Sequence, residues 1–353
     1  MGSKYSVTIV QAKKKLNKVS TWTKSIREDL GIDLLFFCAQ NGSKQRKAGI
    51  FMNKHEFYNN VVEGVKAKLG DDFAVNVMEV MKINITLDGL TILHKSENIS
   101  PTIYLNRYKE HFDAGRPMDD IIDDILSIYE SNRHPENISV EQFYDFDKLK
   151  DKIIVKVINT EKNEKLLEEV PHLVLNGLDL TVILYVSLES HSDTMMGFQV
   201  RNNHLKLWDV SFDDILPLAA KNTNRIYNFV VKSMTEVLLS DLFDEDIFDN
   251  DDATDCCDQM YILTSAQGKT LGSSQLFLKD KIKEFADRCE CDLYILPSSI
   301  HELILLRTDF ACGSVDELKV TVNEVNETVL SAEDFLSNNV YYYNRQTEEI
   351  TKL

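Results

Sequence analysis

The chain has 353 residues, 43% hydrophobic and 27% charged, enough for two domains or one large one with a core that needs neither disulfide nor metal. Its 57 acids against 39 bases give a formal net charge of −18, which repels phosphate and makes the body a poor nucleic-acid binder. No apolar run reaches the roughly 18–20 residues that a membrane-spanning helix requires.

Charge is unevenly spread. Residues 1–51 hold ten bases and three acids, and the rest of the chain holds 29 bases and 54 acids. The split falls at Met52. Residues 1–51 read either as a basic arm able to touch nucleic acid or the acidic body, or as translation from a start assigned too early, with Met52 as the true start. Within them Leu16, Val19, Trp22, Ile26 and Leu30 share a helical face that Gly31 ends.

In the body, Tyr58, Val61, Val62, Val65 and Leu69 fall on one helical face, with Gly70 as the stop. Alternation from Val75 and Val77 through Met81, Ile83 and Ile85 predicts a strand. Asp88-Gly89 reads as a hairpin turn, and residues 90–94 as the return strand. Ser100-Pro101 breaks that path, residues 102–105 lead into a helix near 106–114, and Pro117 opens a second helix. Met118, Ile121, Ile122, Ile125 and Tyr129 form its buried stripe. Asp119, Asp120, Asp123 and Asp124 read as its solvated faces rather than as metal ligands.

Four Ser-x-x-acid/amide patterns predict later helix starts: Ser139…Gln142, Ser211…Asp214, Ser314…Glu317 and Ser331…Asp334. Strands are expected at 153–158, 180–188, 195–200, 261–264, 293–296 and 303–306. Pro297-Ser298-Ser299 is a tight turn, and a closing hairpin follows at 340–343 and 349–352. Short turns join most neighbouring strands, which favours antiparallel pairing. The fold class is therefore α+β, a mainly antiparallel sheet with capped helices packed on it. The layout divides as a basic extension at 1–51, a mixed hairpin and helical region at 52–150, and an α+β region at 151–353 with an acidic loop at 241–258. That loop lacks the glycine and spacing of a calcium site and reads as a self-repelling linker.

Catalytic patterns are incomplete. Gln267-Gly268-Lys269-Thr270 resembles the end of a phosphate-binding loop, but Leu263 stands where its first glycine belongs. The pairs His55-Glu56 and His301-Glu302 lack the second histidine of a zinc protease, with Asn59 and Leu305 in its place. Ser298, Ser299, His301 and Glu302 crowd one turn and are the weak catalytic candidates. The alternative is a polar turn whose His301 and one serine cap backbone groups.

Six cysteines are present: Cys38, Cys256, Cys257, Cys289, Cys291 and Cys312. Cys256-Cys257 and Cys289-x-Cys291 are poorly spaced for zinc and read as ordinary thiols. The most leader-like apolar run, residues 34–39, is short, follows Glu28, Asp29 and Asp33, and precedes no cleavage-like site. A cytoplasmic protein with reduced thiols is expected. The acceptor patterns at Asn98 and Asn137 then carry no glycan. No cofactor and no metal is assigned.

Residues 292–302, Asp-Leu-Tyr-Ile-Leu-Pro-Ser-Ser-Ile-His-Glu, resemble the signature of an uncharacterised bacterial family of Gram-positive gut anaerobes, classed as a domain of unknown function. Gly89-Leu90, residues 99–105, Leu205-Lys-Leu-Trp-Asp-Val-Ser211 and Val340-Tyr-Tyr-Tyr343 are similar to the same family. The likeness spans about 52–353, which agrees with a start near Met52, and implies no activity.

The leading functional expectation is a non-catalytic protein-binding or accessory module. Its acidic surface would steer toward a basic protein partner, or imitate a phosphate backbone. The alternative is a hydrolase-like enzyme using the 298–302 turn. Membrane contact is not expected, and nucleic acid only through the 1–51 arm.

Overall fold

The computed structural model describes residues 52–97, 100–132, 145–191, 194–237, 256–266, 268–310 and 314–353. The basic arm, the Ser139…Gln142 pattern and most of the acidic loop, residues 241–255, lie outside them, as do Cys38, Cys312 and Gln267. The described residues fall into two compact units, one within 52–132 and one within 145–353. Both are antiparallel α+β, as the short turns imply. No described helix is long and apolar enough to cross a membrane.

The first unit contains α1 (Lys54–Leu69), β1 (Phe73–Met81), β2 (Thr86–His94), β3 (Thr102–Tyr104), α2 (Asn106–Asp113) and α3 (Met118–Asn132). A reciprocal Asn53/Glu56 box caps α1 and satisfies amides that the helix itself leaves unpaired. Its Phe57, Tyr58, Val61 and Val65 are buried with Ile121, Ile122, Ile125 and Tyr129 of α3. Gly64 lets the two helices close, because a Cβ there would overlap Ile122 Cδ1.

The hairpin turn expected at Asp88-Gly89 lies elsewhere. Met81 pairs with Thr86, the Lys82 N–H donates to the Ile85 carbonyl at 2.9 Å, and Asn84 turns the chain at φ 65°. Gly89 sits inside β2, where a Cβ would come within 2.5 Å of Thr102 Cγ2. Asp88 is there as a buried hub: its carboxylate accepts from Tyr58 Oη at 2.8 Å and Asn106 Nδ2 at 3.1 Å, and pairs with Lys54 Nζ at 2.8 Å. Burial opposes the Asp88 charge, yet these partners hold the carboxyl below its usual value, while burial and the carboxylate push the Tyr58 hydroxyl up. A close backbone contact and a buried acid thus produced the same dipeptide as a turn.

The second unit opens with a short helix, α4 (Phe146–Leu149). A four-stranded sheet follows, made of β4 (Ile153–Asn159), β5 (His172–Val174), β6 (Leu180–His191) and β7 (Thr194–Gln199). β6 is central, with β4 along one side and β5 then β7 along the other. The segment between β4 and β5 carries α5 (Glu164–Leu167). After β7 come α6 (Asn202–Trp208) and α7 (Phe212–Ile226), the latter capped by Ser211 as its pattern predicts.

A six-stranded antiparallel sheet completes the unit, built from β8 (Phe229–Ser233), β9 (Met260–Ser265), β10 (Leu293–Pro297), β11 (Leu303–Arg307), β12 (Tyr341–Asn344) and β13 (Glu349–Lys352) in the order β13-β12-β10-β11-β9-β8. Its helices are α8 (Gln275–Leu278), α9 (Asp280–Cys289) and α10 (Val315–Val329). The full Ser314/Glu317 box starts α10. Both faces are buried along β8, β9, β10 and β11, while β13 is an exposed edge. Tyr261, Leu263, Ile295 and Leu305 share one core with α9 and with β4 and β6, and Ile262, Leu296 and Ile304 share another with Val322 and Val325 of α10. This explains why these strands read as continuous apolar runs rather than strict alternation.

β4 is an edge strand that is nonetheless buried, so its outward backbone groups need partners. Side chains supply them. The Val155 N–H donates to Thr223 Oγ1 at 2.9 Å, and Ser274 Oγ donates to the Val155 carbonyl at 3.1 Å. Ser273 Oγ donates to the Val157 carbonyl at 3.2 Å, and Asn222 Nδ2 to that of Ile153 at 3.0 Å. Beyond the end of β4, the Asp179 carboxylate accepts from Ser337, Asn339 and Tyr341, tying β12 to the turn before β6. Burial and this carboxylate push the Tyr341 hydroxyl far up. Thr223→Val keeps the shape but orphans the buried Val155 N–H. It is expected to lower stability by about 1–3 kcal/mol in urea denaturation.

Candidate functional site

The turn joining β10 to β11 carries all four weak catalytic candidates. The Ser299 N–H donates to the Glu302 carbonyl at 3.1 Å, and Ser299 Oγ accepts from the N–H groups of His301 and Glu302, each at 3.1 Å. Ser298 and Ser299 are buried. Ser299 is therefore a turn cap. Among the described residues no hydrogen bond links Ser298, or the Glu302 carboxylate, to His301.

The structure instead brings His301 to two residues from other segments. Its Nδ1 lies 2.9 Å from Thr270 Oγ1 and its Nε2 lies 3.2 Å from Asp334 Oδ1. An Nε2–H facing the carboxylate leaves Nδ1 to accept from the threonine hydroxyl; the tautomer is assigned from these contacts.

Thr270 belongs to the segment that resembled a phosphate-binding loop, and the local fold is different from such a loop. Lys269 and Leu271 both take left-handed backbone, at φ 46° and 60°, and the Thr270 N–H donates to Ser265 Oγ at 3.0 Å. A single 3₁₀ turn, Gly272–Ser274, and the four-residue α8 follow. Gly272 is required because a Cβ would meet the Leu263 and His301 carbonyls at 2.6 and 2.7 Å.

Asp334 lies in the Ser331 pattern. Ser331 Oγ accepts from the Asp334 N–H at 3.2 Å and donates to its Oδ2 at 2.8 Å, but residues 332–334 form a turn, so the expected helix start is absent. The Ile300 N–H donates to the Asp334 carbonyl at 2.9 Å, fastening this turn to the His301 turn. The sequence flagged Asp334 as a cap partner and Thr270 in a failed motif. No pattern joins residues 31 and 33 positions from His301.

A second feature lies at β5. Leu167, Val170, Pro171, His172, Leu205 and Phe212 line a shallow open groove of about 530 Å³, with Glu168 and Asn202 at its polar side. The Leu175 N–H donates to the opposite Leu180 carbonyl at 2.9 Å. By the alternation of an antiparallel ladder, Leu173 then faces Val182, and His172 and Val174 turn their backbone N–H and C=O groups away from β6. No described strand pairs with that outer edge. Leu173 and Val174 are 38% and 45% exposed. The sequence reading missed β5 because three residues carry no periodicity.

Two partly buried groups add chemistry. Lys156 of β4 lies beside β6 with Nζ 3.6 Å above the Tyr185 ring, and that ring covers Gly197, where a Cβ would come within 2.7 Å of Tyr185 Cε1. Burial pushes the Lys156 amine down to about 7 and the Tyr185 hydroxyl up to about 12. Cys256 and Cys289 form a disulfide with Cα atoms 5.5 Å apart, which corrects the expectation of reduced thiols throughout. It joins the segment before β9 to the end of α9, a pairing that CC and CxC spacings do not announce. Cys257 and Cys291 stay free, and burial raises the Cys291 thiol. Among the described residues no cluster of three or more His, Cys, Asp or Glu side chains could hold a metal ion.

These features belong to an α+β architecture with a six-stranded antiparallel sheet and a smaller sheet that shares its core. The chain is a member of a family of unknown function, DUF5688, whose model matches residues 54–345. No curated protein and no solved structure matches it.

Two measurements check these groups. Removing the disulfide by Cys256→Ser releases a constraint spanning 33 residues, and the urea midpoint is expected to fall by the equivalent of about 3–4 kcal/mol, with the same loss in wild type under reductant. Lys156→Met is expected to stabilise the fold. The folded amine titrates near 7 and the unfolded one near 10.5, so protons favour the unfolded chain between these values. The gain in melting temperature should be full at and below pH 7 and vanish above pH 10.5.

Proposed function

We propose that this protein works by binding another protein, taking up an extended basic segment as an added strand on the outer edge of β5. The observation that carries the reading is the pair of outward-turned backbone groups at His172 and Val174, on a strand whose three residues are all exposed. Main-chain hydrogen bonds would supply affinity, and the groove beside the strand would take an apolar side chain. Glu168 is the acidic side chain of that groove, and the net charge of −18 favours a positively charged partner. Binding of this kind asks nothing of a catalytic group. A cytoplasmic site would keep Cys256 and Cys289 reduced, so their disulfide weighs against the cytoplasm expected from the sequence.

The test begins with the tagged full chain in its native host and the protein that co-purifies at physiological salt. With that purified pair, hydrogen exchange should show protection at 172–174, and added salt should weaken binding. Val174→Pro removes one outward N–H from an edge position that tolerates proline. It is expected to weaken binding about tenfold, the worth of one good hydrogen bond. A partner that protects other residues, a V174P variant that binds as tightly as wild type, or a chain that co-purifies with nothing would overturn the proposal.

A further inference from the structure

A second activity, separate from strand docking, follows from the contacts of His301. We propose that Thr270, His301 and Asp334 form a nucleophilic site that takes the acyl group of small esters or thioesters onto Thr270. Three segments distant in sequence place a hydroxyl, an imidazole and a carboxylate in line, at 2.9 and 3.2 Å. That is the order in which a hydroxyl nucleophile, its base and the group that orients the base must stand.

Each member is held independently of the relay. Ser265 Oγ accepts from the Thr270 N–H, Ser299 Oγ accepts from that of His301, and Ser331 braces the Asp334 carboxylate. The His301 carbonyl is itself fixed by the Gly272 N–H at 2.8 Å and by Thr264 Oγ1 at 3.0 Å. Thr270 also sits between two side-chain-bearing residues in left-handed backbone, Lys269 and Leu271. These two residues fix the direction in which the Thr270 side chain is presented.

The relay is open to water: the His301 and Asp334 side chains are 34% and 30% exposed. Screening by water limits the charge stabilisation available to a poor leaving group, which points to esters and thioesters rather than amides. In the reaction Thr270 Oγ1 gives its proton to His301 Nδ1 and bonds to the acyl carbon. The bond from that carbon to the leaving oxygen or sulfur breaks with its electron pair, and the leaving group collects the proton from Nδ1. Water, deprotonated by the same nitrogen, then cleaves the acyl-threonine, releasing a carboxylic acid and restoring the hydroxyl. Asp334 is a positioning residue, holding the imidazole by its Nε2–H.

The probe is p-nitrophenyl acetate added to the full chain, read by intact mass, by peptide mapping and by release of nitrophenolate. One acetyl group on Thr270 is expected in wild type. Thr270→Val should abolish it and Thr270→Ser should keep it. His301→Asn should slow it by about 100-fold or more. Asp334→Asn should slow it as well, with recovery in Asp334→Glu, which a purely structural loss would not give. Unchanged melting temperatures separate lost chemistry from lost fold. A wild-type protein that neither carries an acetyl on Thr270 nor releases nitrophenolate faster than Thr270→Val, or a folded His301→Asn variant that reacts as fast as wild type, overturns the proposal.

Discussion

The second unit depends on how the outer edge of β4 is satisfied. That strand is a buried edge with no described strand on its outer side, so Ile153, Val155 and Val157 present polar backbone groups where water cannot reach them. Four short polar side chains, Asn222, Thr223, Ser273 and Ser274, answer them one by one. A hydroxyl on a rigid turn can follow a strand edge as closely as another strand does. It also ends the sheet there, because it offers no further edge of its own.

This constraint shapes what lies next to it. For Ser273 and Ser274 to reach β4, the chain leaving β9 must turn tightly, which places Leu271 in left-handed backbone and requires glycine at 272. The same turn donates from Gly272 to the His301 carbonyl and so fixes the β10–β11 connection. The position of His301 is thus a by-product of sealing β4. The contacts with Thr270 and Asp334 are made on a scaffold whose first requirement is satisfying a buried strand. On the other side of β6 the opposite holds: β5 is exposed, its outer edge has no described strand beside it, and the groove lies against it.

The order of elements was legible where burial is regular. The α1 and α3 stripes, the Ser211 and Ser314 caps and most strands from 153 to 352 follow from apolar runs, periodicity and capping chemistry, while β5 and β8, of three and five residues, went unread. Legibility failed where one residue serves two masters. Asp88-Gly89 has the composition of a turn, yet it answers a buried tyrosine and a crowded cross-strand contact. Ser331 caps a turn that never becomes a helix, since Asp334 is recruited by Ile300 and His301. The candidate site was half visible: the 298–302 turn was singled out, but its serines proved buried and its partners came from chain positions that no local spacing connects. The Cys256–Cys289 pairing and the downward-shifted Lys156 amine were invisible for the same reason, being properties of surroundings rather than of neighbours in sequence.

The sealing of β4 also sets an order of events during synthesis. Ser273 and Ser274 lie 116 and 119 positions after the carbonyls they cover. β4, β6 and β7 can therefore pair while their outer edge is still bare, long before those serines leave the ribosome. In that interval the nascent chain carries a long apolar strand with open hydrogen-bonding groups, a template for pairing with other chains. Slowing translation between 200 and 270 prolongs that exposure without altering one native contact. The yield of soluble protein then reports on chaperone supply rather than on the stability of the finished fold.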